Sequence, residues 1–352
     1  SGIGASSFGH GHPNILSAIH EQVDKHLHVM VYGEMRQTAQ DVAADRLLTL
    51  LPEALDAVYF VNSGAEAIDA AIKLVRRVTH RSKILAVEGG YHGNTFGALS
   101  VSSNAERKAP FAPLVGDIEL IPWNDTEGLE AIDASVAGII LETVQGDAGI
   151  RIPDPEWLRA IRDKCTQTGA HLVLDEIQCG FGRTGRPFAF EHFGVEPDHL
   201  CLGKALGGGM PMGALVSNKE HLQQFAHSPS LGHITTFGGH PVPCAASAAA
   251  STLLQSTDWN RVEQVGQTIE AAMRGCAHVR EVRRIGLYIA VELESSEAVN
   301  EVVQTAMQRG VLVFYFLSTP EAFRIAPPLN INDVDLNEAL DTLIACIEQA
   351  HA

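Results

Sequence analysis

The strongest constraint on the fold is the alternation of short apolar segments with amphipathic helical segments over roughly the first 255 residues. Helical patterns, such as the one at 155–168, separate apolar runs that have the length of strands. The predicted strands cover 57–61, 84–87, 118–121, 138–141, 172–175, 200–202 and 213–216. Because such alternation is typical of α/β proteins, we predict a mostly parallel sheet of seven strands.

The remaining pattern indicates additional helices and a second domain. Before the fourth strand we predict helices at 13–26 and 38–51, and one that follows the turn at 62–66 and runs to residue 77. Beyond residue 255, predicted helices and strands alternate at 258–275, 279–284, 288–292, 298–309, 311–316 and 323–325, with a final helix from Asp333. We therefore expect a large domain at 1–255 and a smaller C-terminal α+β domain at 256–352.

Composition excludes several classes of partner. The formal net charge of −17 argues against binding to nucleic acid or to acidic membrane surfaces. No apolar stretch approaches the roughly 18 residues of a membrane span, and the first residues have neither a basic region nor an apolar core typical of a signal peptide. Six cysteines, scattered singly, predict reduced thiols, so we expect a cytoplasmic protein.

Metal-binding patterns are weak in this sequence. Residues 9–12 read Gly-His-Gly-His, but no third ligand follows at metal spacing, and paired CxxC cysteines are missing. A turn that enters a helix is the simpler interpretation of this run. We therefore predict no metal site.

Lys204 is the first residue that indicates chemistry. It directly follows an apolar strand and precedes Ala-Leu and three glycines. A phosphate-binding P-loop would need Gly where Asp198 stands and Ser or Thr where Ala205 stands. A solvated surface lysine remains possible. A buried lysine at a strand end loses proton affinity, however, and its amine becomes nucleophilic toward an aldehyde, which is Schiff-base chemistry.

Asp175 supplies the second element of that chemistry. Pyridoxal phosphate stabilises a carbanion when its ring nitrogen stays protonated, and a carboxylate at the end of a strand is suited to hold that proton. Asp175 ends the run 171–175, and Lys204 follows it by 29 positions (204 − 175), which is one helix–turn–strand passage. Ligands of open α/β sheets bind at this rim. Asp at a strand end is common, so the prediction depends on the pair.

A phosphate group would also need donors. Residues 62–66, Asn-Ser-Gly-Ala-Glu, follow a strand and open a helix, so their backbone N–H groups and the helix dipole favour an anion. Ser63 adds a hydroxyl. An ordinary helix cap would have the same sequence, and a second hydroxyl-and-glycine turn lies at 235–239.

Six segments together resemble the class III aminotransferases, which are fold-type I pyridoxal phosphate enzymes that include ornithine, acetylornithine and 4-aminobutyrate transaminases. The resemblance spans essentially the whole chain, and the segments 175–185 and 203–209 are its most specific parts. The matching segments, in chain order, are 63–66, 91–93, 142–147, 175–185, 203–209 and 236–241.

The resemblance implies roles at the cofactor. Lys204 would form the Schiff base with pyridoxal phosphate and move the substrate proton, and Asp175 would pair with the pyridine nitrogen. Gln178 would bind the ring hydroxyl and Tyr91 would stack on the ring, although a core tyrosine is the alternative. Two more residues of the matched segments are assigned to the cofactor site, His92 and Glu142.

The resemblance also implies a shared phosphate site. Ser63, Gly64 and Ala65 would hold the phosphate, and Thr236 would reach it from the other subunit, so a homodimer is expected. Ser1 falls in the middle of the family's N-terminal region, a segment that usually helps to line the active site.

At the substrate end, Arg324 resembles the family's carboxylate-binding arginine, since a guanidinium suits a carboxylate bidentately. Asp147 stands where ornithine-type members carry Glu as a removable partner of that arginine, and its shorter side chain predicts a looser or water-bridged pair. Asn94 stands where many members carry Arg, so a second carboxylate anchor is missing there.

The implied reaction moves an amino group from an ω-amino or diamino acid, of the ornithine or acetylornithine kind, to a 2-oxo acid such as 2-oxoglutarate in two ping-pong steps. Alternatives on the same scaffold are an amine–pyruvate transaminase, an aminomutase, a decarboxylase or a non-catalytic binding protein. A nucleotide-dependent dehydrogenase is excluded because no G-x-G-x-x-G follows the first strand.

Overall fold

A computed structural model describes residues 1–33 and 35–351, and its central element is a seven-stranded sheet. The strand order is β1-β7-β6-β5-β4-β2-β3, in which β7 is the one strand that runs opposite to the other six. This confirms the predicted mostly parallel sheet. The strands are β1 (Ala57–Val61), β2 (Lys83–Val87), β3 (Ile118–Ile121), β4 (Val136–Glu142), β5 (His171–Asp175), β6 (His199–Leu202) and β7 (Gly213–Ser217).

Eight helices in the described residues accompany this sheet. The predicted helix 38–51 ends three residues early, and the alanine-rich helix 241–255 was not predicted at all. Their bounds are α1 (Pro13–Lys25), α2 (Thr38–Leu48), α3 (Gly64–Thr79), α4 (Phe96–Val101), α5 (Ala105–Lys108), α6 (Pro155–Thr168), α7 (Lys219–Gln223) and α8 (Pro241–Gln255).

The C-terminal part forms a small α+β domain around an antiparallel sheet of order β10-β11-β9-β8. The division at 255/256 stays a prediction, and Glu34 and Ala352, which fall within the predicted domain ranges, lie outside the described residues. The elements are α9 (Trp259–Arg274), β8 (Glu281–Ile285), β9 (Tyr288–Glu292), α10 (Ser296–Gln308), β10 (Phe314–Tyr315), β11 (Ala322–Ile325) and α11 (Asp333–Gln349).

The core explains why the middle strands read as continuous apolar runs. β4 is buried at all seven positions, because helices cover both faces of a parallel sheet. The six cysteines are all unpaired in the described residues, and only Cys276 is not fully buried. No helix in the described ranges is long and apolar enough to cross a bilayer.

The two sheets are joined through Arg183, a buried guanidinium in the segment after β5. Its Nη1 donates to the carbonyl oxygens of Leu287 at 3.2 Å and Pro327 at 2.7 Å, and the Leu287 N–H donates back to the Arg183 carbonyl at 3.1 Å. Burial lowers the pKa of Arg183 to about 10, which still leaves it charged near neutral pH. The small domain is therefore tied to the segment that follows the central strand.

Substitution of a glycine in the turn between β8 and β9 tests the close contact between the small domain and the segment around Arg183. Gly286 has a φ of +57°, and an added Cβ would overlap the backbone of Thr184 and Gly185. Gly310 has a φ of +86° with nothing within 4 Å of the added atom. We expect Gly310→Ala to cost about 1–2 kcal/mol of unfolding free energy from backbone strain alone, and Gly286→Ala to cost about 1–3 kcal/mol more. Urea unfolding measures both, and equal losses would contradict the close contact.

Candidate active site

A cleft of about 670 Å³ opens at the carboxyl ends of the central strands. The rim of an open α/β sheet is the usual ligand site of such folds. All of the residues predicted for the site line this cleft except Thr236. The lining residues among them are Ser63, Gly64, Ala65, Tyr91, His92, Glu142, Asp147, Asp175, Gln178, Lys204 and Arg324.

Asp175 ends β5 and is only 3% exposed. Its Oδ2 is 2.7 Å from Nδ1 of His92, and its Oδ1 accepts from the Ile177 N–H at 2.9 Å. Burial opposes the charged form of His92, but the hydrogen bond and charge of Asp175, with the charge of Glu142, raise the pKa of His92 above its ordinary value. His92 and Ile177 thus fix the direction of the Asp175 carboxylate.

Glu142 ends β4 in register with Asp175. Its carboxylate oxygens accept from the Tyr91 N–H at 2.9 Å and the Gly146 N–H at 2.8 Å. Burial and the nearby charge of Asp175 raise the pKa of Glu142 to about 7, against the opposing effect of His92. Glu142 therefore positions two loops at the cleft and is only partly ionised at neutral pH.

Lys204 follows β6 after a single residue, Gly203. Burial lowers the pKa of Lys204, and the charges of Asp175 and Glu142 oppose that shift without cancelling it. Its φ is +45°, a left-handed value that is uncommon for a side chain other than glycine and that occurs often at functional sites. Its amine is therefore uncharged at lower pH than that of a free lysine.

The N-terminus of α3 forms an anion cradle beside these groups. Ser63 caps the helix, and its Oγ accepts from the Glu66 N–H at 3.2 Å. The first N–H groups of a helix have no acceptor within it, and its dipole attracts negative charge. Position 64 requires glycine because the Ile177 side chain packs closely against it: an added Cβ would lie 2.6 Å from Cδ1 of Ile177.

Two side chains can contact a planar group in the cleft. Tyr91 is half-buried, and its Oη accepts from Nδ2 of Asn94 at 3.2 Å. Burial raises the pKa of Tyr91, which keeps the phenol neutral. Ile177 also lines the cleft, and sequence reasoning missed it. The sequence feature that could have identified it is its position two residues after Asp175, at the same rim of the sheet.

Gln178 is oriented by a residue of the small domain. The Oη of Tyr288, on β9, donates to Oε1 of Gln178. Tyr288 is 1% exposed, and its only sequence signal was a tyrosine within an apolar strand. Because Oε1 is engaged, the amide Nε2 of Gln178 is the group that remains for a ligand.

Arg324 is a buried guanidinium on β11, and it lies 4.5 Å above the ring of Phe316. Within residues 1–33 and 35–351 it forms no ion pair, and its Nε has no hydrogen-bond partner. The suggested Asp147–Arg324 pair is not formed. The Asp147 carboxylate accepts instead from the Leu317 N–H at 3.0 Å and from Oγ of Ser318 at 2.7 Å. The shorter aspartate is thus used to hold the segment before β11.

Thr236 lies outside the cleft, with an exposed side chain. Its carbonyl accepts from Nε2 of His28 at 3.0 Å. Neighbouring apolar side chains are also exposed: Ile234 by 43% and Phe237 by 55%. The chain on its own therefore does not bring Thr236 to the cradle.

The residues of the cleft fit pyridoxal phosphate. The backbone N–H groups at the start of α3, which have no acceptor within the helix, suit the phosphate, and Asp175 suits a protonated ring nitrogen. Lys204, with its lowered pKa, suits an aldehyde carbon, and Tyr91 and Ile177 offer flat or apolar contact. The donor set therefore matches each end of that cofactor.

Comparison with known proteins agrees with this chemistry. The family model "Aminotransferase class-III" matches residues 1–347. The acetylornithine aminotransferase of Methanopyrus kandleri is 41% identical over 351 residues, which cover 97% of this chain and 87% of that protein. The acetylornithine aminotransferase of Streptomyces clavuligerus is 35% identical over 356 residues, covering 100% of this chain and 86% of that protein.

Solved structures give the same result. An ornithine aminotransferase from Toxoplasma gondii, with pyridoxal phosphate partially occupying its active site, superposes with a TM-score of 0.90 at 29% identity, covering 100% of this chain and 86% of that one. A transaminase from a marine Virgibacillus has a TM-score of 0.88 at 25% identity, covering 97% and 86%. The chain therefore belongs to the class III aminotransferases, enzymes that use pyridoxal phosphate.

Proposed function

We propose that this aminotransferase moves the amino group of an ω-amino or diamino acid, of the acetylornithine or ornithine kind, to a 2-oxo acid, with 2-oxoglutarate as the acceptor. The observation that carries the proposal is the placement of an unpaired buried guanidinium, Arg324, in the same cleft as Lys204 and Asp175. Relatives named acetylornithine aminotransferase, at up to 41% identity, support this substrate class.

Pyridoxal phosphate, when bound, supplies an electron sink for the carbanion that forms at the substrate carbon bearing the amino group. In this proposal Lys204 holds the cofactor, and its Nζ takes the proton from that carbon, a role that its lowered pKa favours. Asp175, fixed by His92 and the Ile177 N–H, keeps a proton on the ring nitrogen. Gln178 donates its free amide N–H to the ring hydroxyl.

Arg324 would bind the substrate carboxylate. A buried guanidinium without a carboxylate is unfavourable, and a substrate carboxylate supplies the missing partner. Apolar side chains on the same cleft, including Ile3, Phe314 and Leu317, suit the methylene chain between an amine and a distant carboxylate. An amino acid whose reacting amine is remote from its carboxylate fits this arrangement.

The same residues support a ping-pong order. One cleft holds Lys204 and Arg324, so donor and acceptor must use one carboxylate site in turn. The first product leaves before the 2-oxo acid binds. Initial-rate plots against both substrates should then give parallel lines.

We also propose a homodimer in which Thr236 of each subunit binds the phosphate in the other cleft. Its exposed position, away from its own cradle, supports this assignment. The exposed Ile234 and Phe237 beside it supply apolar area for an interface.

The donor can be identified from one half-reaction. The holoenzyme's visible absorption should change when acetylornithine or ornithine is added without acceptor, and it should recover with 2-oxoglutarate. Lys204→Ala should lower turnover by about 10²–10⁴-fold or more, because the proton-transferring group is lost. The exposed Lys25→Ala is the matched control and should match wild type. Turnover that needs no 2-oxo acid would instead indicate an aminomutase or a decarboxylase.

Arg324→Ala tests the carboxylate site. Loss of a hydrogen bond to a charged group, about 1.5–3 kcal/mol, should raise KM for amino acid donors roughly 10- to 100-fold and leave KM for simple amines nearly unchanged. The exposed Arg280→Ala, in the same domain, serves as control. Equal effects on both kinds of donor would make Arg324 a structural residue.

Subunit mixing tests the role of Thr236. Neither Lys204→Ala nor Thr236→Ala homodimers should work at limiting cofactor. In a mixed dimer, the Thr236→Ala subunit keeps its own Lys204 and receives an intact Thr236 from its partner. Activity at limiting cofactor should therefore return on mixing, up to one working site per dimer. If mixing restores nothing while mixed dimers form, Thr236 does not act across subunits.

A further inference from the structure

Three histidines meet at the end of the sheet opposite the cleft. His171 is the first residue of β5, His199 is the first residue of β6, and His221 lies on α7. Since β5 carries Asp175 at its other end, four residues on, the cluster lies about 13 Å from that carboxylate along the strand. None of the three lines the cleft, so the cluster is separate from the proposed active site.

The imidazole rings are close enough to share a ligand. One ring nitrogen from each histidine lies within 4.8 Å of the other two. Ring centroids are 5.0 Å apart for His171 and His199, 5.0 Å for His171 and His221, and 5.6 Å for His199 and His221. Nδ1 of His171 and Nε2 of His199 are 2.7 Å apart and share a hydrogen bond.

Two other ring nitrogens of the cluster have no hydrogen-bond partner among the residues that the structure describes. His199 is fully buried, and its Nδ1 and the Nδ1 of His221 have no hydrogen-bond partner within the described ranges. A buried nitrogen without a partner is costly. A purely structural stack of rings accounts for the contacts of the cluster but supplies no partner for Nδ1 of His221, whereas Nδ1 of His199 stays without a partner when Nε2 of that ring is the ligand.

The charged side chains near the cluster are paired with each other and form no ion pair with the imidazoles in the described residues. Arg162 of α6 pairs with Asp198 at 2.8 Å, and the same Asp198 oxygen also accepts from the Leu172 N–H. Burial lowers the pKa of His171 and lowers that of His199 well below its ordinary value. Both shifts favour the neutral imidazole, which is the form that binds metals.

We propose that His171, His199 and His221 form a binding site for a divalent transition metal of the zinc type, with water as the fourth ligand. Three imidazoles favour such an ion over Mg²⁺ or Ca²⁺, which prefer oxygen ligands. Zinc–nitrogen distances of about 2.0–2.1 Å in a tetrahedron need ligand nitrogens roughly 3.3 Å apart. The 2.7 Å pair must therefore open by about 0.6 Å, and any nitrogen pair near the 4.8 Å limit must close toward the same spacing.

The ion would link three elements that are distant in sequence. His171, His199 and His221 are separated by 28 and 22 positions, so no local motif announces the site and the sequence predicted none. Ligation would fix the starts of β5 and β6 to α7, the helix that precedes the segment carrying Thr236. Binding to the folded state alone raises stability by mass action.

Zinc binding by the chelator-treated holoenzyme tests the proposal. We expect one Zn²⁺ per chain by calorimetry and elemental analysis, a higher unfolding temperature, and a tetrahedral absorption spectrum with Co²⁺. His171→Gln and His221→Gln, both at half-buried positions, should each weaken binding at least tenfold and keep metal-free turnover, which shows that they fold.

The matched control is the double variant His10→Gln/His12→Gln, which removes the two histidines of the Gly-His-Gly-His run at 9–12. It should bind Zn²⁺ like wild type. The proposal is overturned if wild type binds no Zn²⁺, if the two cluster variants bind it as wild type does, or if the double variant loses it.

Discussion

The parallel register of β4, β5 and β6 determines the chemistry of this protein. Glu142 and Asp175 are paired in that register, and Lys204 follows the end of the next strand by two residues. Three ionisable groups are thereby brought to one edge of a buried sheet, where water is scarce. Their low-dielectric surroundings shift the pKa of Glu142 upward and that of Lys204 downward, in the directions that leave both groups uncharged. Asp175 lies between them and is held by His92.

The sequence predicted the strands of this sheet and the two residues Asp175 and Lys204 at its rim, and the reasons are physical. The five inner strands of the sheet are buried on both faces and appear as apolar runs. The edge strands β1 and β3 are less buried, but all seven strands were found close to their observed bounds. Asp175 and Lys204 follow such runs directly, where the rim of the sheet lies. The family resemblance then extended the prediction to residues such as Gln178 and Arg324.

What sequence could not supply was contact between distant segments. Tyr288 reaches Gln178 across 110 positions, and Asp147 binds Ser318 across 171, and neither pairing leaves a local pattern. Helix α8 was missed because its alanine-rich sequence with two prolines has little amphipathic contrast. The reversal of β7 was equally hidden, since a buried strand reads the same in either direction.

The linkage through Arg183 has a consequence for how such an enzyme diversifies. Arg183 donates to the carbonyls of Leu287 and Pro327, and Tyr288 donates to Gln178. These hydrogen bonds hold the small domain against the segment after β5, which lines the cleft. The exceptions are two side chains of the stretch 314–318: Tyr315 and Leu317 are 38% and 54% exposed, although the stretch itself is held by the pairing of β10 with β11, by Phe316 under Arg324 and by Asp147. Mutation can alter these two exposed side chains without removing the contacts that hold the domains together. Because Tyr315 and Leu317 also line the cleft, changes at these two positions would alter its lining while Lys204 and Asp175 stay in place.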